Sequence, residues 1–123
     1  AELVQPAPGS IYCQIKSGSH AERTGHIKAE GTTSLMFNEL IELTIESTKI
    51  LVGIYQITNG FTDILLGETM FDIDEPSPDN VYDLCCYNTK ERVTETVGTI
   101  ILSVENTEYS KGKTFRKARE FVN

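Results

Sequence analysis

Tryptophan is absent from the 123 residues, cysteine occurs three times and proline four times. Each scarcity removes a class of protein. Cys13, Cys85 and Cys86 form an odd set with two immediate neighbours, so no disulfide framework of the kind that staples small secreted domains is implied. No Asn-x-Ser/Thr sequon occurs, and the opening AELVQPAPGS lacks the basic-then-apolar order of a secretory signal. Together these favour a reducing, intracellular, cytoplasmic setting, free or peripheral to a membrane or cytoskeletal structure. No apolar run approaches the roughly 20 residues that a spanning helix needs.

Chemistry-bearing motifs are equally scarce. There is no Gly-rich phosphate loop, no Gly-x-Ser-x-Gly elbow and no His-Glu-x-x-His. His20 and His26 make no compact ligand pair with each other or with a cysteine, so no metal is expected. The surroundings of Cys85 and Cys86, VYDLCCYN, offer only Asp83 as a charge. A catalytic thiol needs an electropositive setting, and this one is not. The expectation is a protein that is not an enzyme and holds no cofactor.

What is present is one ordinary globular domain. The hydrophobic fraction of 39% suffices for a single core. Net charge is −7, but unevenly spread. Residues 110–123 carry five cations and Glu120, a net +4, which leaves −11 for residues 1–109. A body of that sign excludes nucleic acid as the main partner, because phosphate binding needs a basic face.

Alternation of period two dominates. Ile11–Lys16, Arg23–Glu30, Glu39–Glu46, Ile50–Gln56, Leu65–Ile73, Val81–Tyr87 and Val97–Glu105 read as seven strands, with Glu2–Gln5 as a possible eighth. Asp74–Asn80 is a loop. The spacing predicts an all-β antiparallel sandwich of seven to eight strands. Its core is drawn from Ile41, Leu43, Ile45, Leu51, Ile101 and residues alternating with them. From Thr114 onward, Phe115, Ala118 and Val122 fall near one helical face, so a short basic C-terminal helix is expected.

Two segments resemble the C2 domain family of docking β-sandwiches. Leu35–Ile45, LMFNELIELTI, is similar to the family's aromatic-Asn-Glu strand opening through Phe37-Asn38-Glu39. Ile50–Glu68 is similar to its apolar strand, loop and Leu-Gly-Glu, and Val97–Val104 to its Gly-x-Ile strand. The resemblance implies an organisation of 1–9 as leader or edge strand, 10–106 as C2-like sandwich and 107–123 as basic helix or linker. Calcium-binding members carry a pair of aspartates in the loop after the central strand, where this chain has Gln56 and Thr58. Asp63 alone cannot satisfy an ion that takes about six to eight oxygens. A calcium-independent module is therefore expected, one that docks a protein partner or scaffolds a larger protein.

The alternative is calcium-independent phospholipid or phosphoinositide binding for membrane targeting. Candidate contact residues are Phe61 and Asn59 on the loop tip, with Arg23, His26 and Lys28 as a basic group. By period two, His26 and Lys28 share a face, and Arg23 joins them only if Gly25 marks a bulge.

Overall fold

Every element among the described residues is a strand. The computed structural model describes residues 1–123 other than 8, 30, 61, 109–113 and 122–123, and for residues 6, 7, 105–108 and 114–121 it describes the backbone alone. The strands are β1 (Glu2–Ala7), β2 (Ser10–Ser17), β3 (His20–Arg23), β4 (Ile27–Lys28), β5 (Thr32–Ser34) and β6 (Leu40–Thr44). They continue as β7 (Lys49–Gln56), β8 (Ile64–Asp72), β9 (Val81–Asn88), β10 (Val93–Glu108) and β11 (Thr114–Phe121). All pairings are antiparallel.

One curled sheet runs β3-β2-β7-β8-β9-β10. The sixteen residues of β10 make the sheet turn. Its first half pairs with β9, while its other edge takes β1 at Gly98 and Thr99 and then β11 from Ile101 to Glu108. β11 in turn pairs with β6, and β6 comes back beside β3 and β2. The result is an open half-barrel. Its seam, between β3 and β6, is bridged by carboxylates: Gly25 N–H donates to Glu39 at 2.8 Å and Ser19 N–H donates to Glu46 at 2.7 Å.

The C-terminal helix expected from Phe115, Ala118 and Val122 is corrected to strand β11. Local helical preference is worth tenths of a kcal/mol per residue, whereas β10 and β6 each offer a free edge that Thr114–Phe121 satisfies from both sides.

The core collects alternate residues from five strands: Ile11, Cys13 and Ile15; Ile41 and Leu43; Ile50, Val52 and Ile54; Tyr82 and Leu84; Ile100 and Leu102. Ile41 and Leu43 sit where alternation put them, and Ile45 is partly buried against them. For β7 and β10 the phase is the other one, with Ile50 and Ile100 inward and Leu51 and Ile101 half-exposed. Both faces of those strands are apolar, so period two alone does not choose between them.

The residues of the two short motifs have structural tasks. Phe37 is buried, Asn38 takes a left-handed φ of 47°, and Glu39 reaches Gly25. Asparagine tolerates that conformation better than most residues, so the trio turns the chain into β6. At Gly67 a Cβ would meet Val97 Cγ2 at 2.6 Å and Leu84 Cβ at 3.2 Å. Glycine there lets β8 lie close beneath β9 and β10.

Candidate functional site

The residues of β2 that face away from the core are Tyr12, Gln14 and Lys16, since Ile11, Cys13 and Ile15 face into it. Tyr12 is nevertheless only 6% exposed. Its cover comes from neighbouring strands on the outer face. Tyr55, directly opposite on β7, stacks on it with ring centroids 5.5 Å apart and planes within 14°. The Arg23 guanidinium lies over the same ring at 5.0 Å from the centroid, within cation–π range. His26 approaches at 6.2 Å, tilted by 43°. At the rim, Tyr12 O–H donates to Asp63 Oδ2 at 2.7 Å, which ties the β7–β8 loop down onto β2.

The bulge that was needed to unite the basic residues exists. Gln14 lies opposite Arg23, but Ile11 lies opposite Ile27 and Ser10 opposite Lys28, so one extra residue enters the edge between β3 and β4. Thr24 anchors it: its Oγ1 accepts from Cys13 N–H at 3.0 Å, while its own N–H donates to Cys13 O at 2.9 Å. The extra residue resets the alternation. Arg23 shares the face of Gln14, and Lys28 that of Ser10, so both stand on the Tyr12 side.

Of the residues singled out from sequence, Arg23, His26 and Lys28 are therefore brought together. Asn59 is exposed on the β7–β8 loop, and among the described residues no hydrogen bond or ring contact joins it to the basic group. Phe61 lies outside the described residues. The residues at the centre, Tyr12 and Tyr55, were not singled out. Their signal was parity: in IYCQIK the aromatic falls on the off-core side of a strand whose core side is already filled.

Electrostatics reinforce the geometry. Burial first, then the hydrogen bond and charge of Asp63, push the Tyr12 phenol above its ordinary pKa, and Arg23 opposes them. Tyr55 is also raised, by burial and then by Glu68. Both phenols therefore stay neutral at physiological pH. Gly53 completes the platform, because a Cβ there would stand 2.8 Å from the Tyr55 ring, which lies across it. No group of three or more histidine, cysteine or acidic side chains that could hold a metal exists among the described residues. Among the described residues no helix is long and apolar enough to cross a membrane.

No protein-family model matches the chain, and no curated protein matches it.

Proposed function

We propose that this chain is a non-enzymatic, calcium-independent docking module of C2-like type that binds a protein partner through the Tyr12 face of its sheet, as part of a larger intracellular assembly. The observation that carries the reading is the stack of Arg23, Tyr12 and Tyr55. Tyrosine and arginine are the residues that most often dominate binding energy at interfaces. Here they are held rigid before any partner arrives, which lowers the entropy cost of docking. Catalysis draws no support from the cluster: both phenols are held protonated and Asp63 accepts bonds from Tyr12 and from Thr58 N–H.

Those same bonds support calcium independence, since the one carboxylate in the β7–β8 loop suited to a cation is already engaged. The C2-like assignment, a sandwich in which the curled sheet packs its two halves face to face, rests on the order of Phe37-Asn38-Glu39 before β6 and Leu66-Gly67-Glu68 in β8.

Selection from a random-peptide library tests the reading. The domain is expected to enrich a sequence consensus whose binding is lost in Tyr55→Ser. Failure to enrich any consensus, together with sedimentation on anionic vesicles, would overturn docking in favour of membrane targeting by Arg23, His26 and Lys28.

A further inference from the structure

Lys28, Arg23 and Lys16 have no carboxylate partner among the described residues. All three stand on the outer face of β2 and its edge, with His26 between them. This is an odd arrangement for a body whose residues 1–109 carry a net −11. Acids are plentiful, yet those beside the row are engaged elsewhere, Glu39 by the Gly25 N–H at 2.8 Å. Asp63 is bonded to Tyr12, and Glu68 lies one strand further on, opposite Gly53. A basic row left unneutralised within an acidic protein has a local electrostatic role that the net charge does not express.

The spacing of the row defines its complement. Lys28 stands opposite Ser10 and Arg23 opposite Gln14, four residues apart along β2, which is about 13 Å at strand rise. Lys16 lies two residues beyond Gln14, about 7 Å further. Every second side chain of an extended peptide recurs at that same interval of about 7 Å. From these positions we infer that the Tyr12 face takes an extended acidic peptide, with carboxylates at alternate positions along Lys28, His26, Arg23 and Lys16 and with apolar neighbours on Tyr55 and Leu65. Arg23 is the anchor: stacked on Tyr12, its planar fork is preorganised to grip a carboxylate with two bonds.

A peptide is favoured over a membrane by scale. The field of the row extends about 8–10 Å at physiological salt. A strand-wide ligand fits within that distance, whereas a bilayer surface must also approach the acidic remainder of the body. The inference rests on the docking reading and narrows it to one class of partner.

Fluorescence anisotropy with a labelled Glu-Val-Glu-Val-Glu-Val-Glu peptide tests it, beside the same peptide with glutamine for glutamate and vesicles of phosphatidylcholine with and without phosphatidylserine. Saturable binding of the acidic peptide is expected, weakening with salt and at least tenfold weaker for the glutamine peptide. Arg23→Gln should lower affinity about tenfold or more and Lys28→Gln severalfold, with thermal melts unchanged. Arg23→Lys should restore only part of the loss. No binding of the acidic peptide, or binding indifferent to Arg23→Gln, overturns the inference, as does equal Arg23-dependent binding to phosphatidylserine vesicles. If the glutamine peptide, or a non-acidic library consensus, binds as tightly in a Tyr55-dependent way, the acidic partner is refuted while the docking reading stands. If neither peptide binds and no consensus emerges, both fall.

Discussion

Ser17→Ala is the sharpest test of how β2 holds the β6–β7 turn beside the seam. Ser17 ends β2 and is fully buried. Its Oγ donates to Ser47 O at 2.7 Å and accepts from Glu46 N–H at 3.0 Å and Ser47 N–H at 2.9 Å. One hydroxyl thus satisfies three backbone groups in the turn between β6 and β7. Alanine fits the space but leaves all three without that partner. An unsatisfied buried polar group costs about 1–3 kcal/mol. The turn is part-buried and a carbonyl keeps a second lone pair, so a total of about 2–4 kcal/mol is expected.

That is a large share of the roughly 5–15 kcal/mol that holds a domain together. Urea unfolding followed by circular dichroism should show the midpoint fall with an unchanged slope. Hydrogen exchange should accelerate at the Glu46 and Ser47 amides. Ser19→Ala is the control, because its bond to Glu46 is exposed and its loss should be nearly silent. A loss below about 1 kcal/mol, or one equal to that of Ser19→Ala, would refute a turn held by the Ser17 hydroxyl.

Other outcomes follow from the same geometry. Leu43→Asp should unfold the domain while Glu42→Gln costs far less, since one faces the core and the other is exposed, opposite Lys117 on β11; paired thermal melts decide it. Deleting residues 109–123 should destabilise the fold, because β6 then loses its ladder with β11; unaltered cooperative unfolding would show that β11 is dispensable. Ultraviolet titration should find Tyr12 ionising above the ordinary tyrosine range, lower in Asp63→Asn and higher in Arg23→Gln. Glu46 is held below its ordinary pKa by the Ser19 hydroxyl and N–H, and Asp79 by the Ser77 hydroxyl and Val81 N–H. A depressed carboxylate contributes stability above its unfolded pKa, and that contribution is lost as pH falls through the folded one. Acid melts should therefore be less steep in Glu46→Gln.

Part of the sheet is legible in the chain because several strands are apolar on one face and polar on the other. ELIELTIE is the clear case: Ile41 and Leu43 are buried and Leu40 and Glu42 exposed. Where both faces are apolar, as in ILVGIY and TIIL, the strand is legible but its inward phase is not, because that choice belongs to the partner strands. β11 was illegible for a different reason. Thr114–Phe121 carries a weak local preference, and its pairing is decided by two edges lying far away in sequence. A free edge with several ladder bonds to offer outweighs a preference worth tenths of a kcal/mol per residue.

The site shows the same division between local and non-local information. Arg23, His26 and Lys28 could be grouped by composition, and Gly25 was a visible place for a bulge, yet the bulge itself depends on Thr24 meeting Cys13 across the β2–β3 edge. Without the bulge the β2–β3 register would leave Arg23 opposite Gln14 but carry Lys28 to the core side. With it, Lys28 joins the stack of Arg23, Tyr12 and Tyr55 on the outer face while the core face of β2 stays filled by Ile11, Cys13 and Ile15. The single inserted residue therefore puts two cations five residues apart on one face, at a cost limited to one irregular step in the ladder. Recognition at this surface depends on register as much as on residue identity. Deleting Gly25 takes out the extra residue yet leaves Arg23 opposite Gln14 and Lys28 opposite Ser10 in one continuous register, so peptide binding should survive that deletion; its loss would show that the irregular step itself shapes the face.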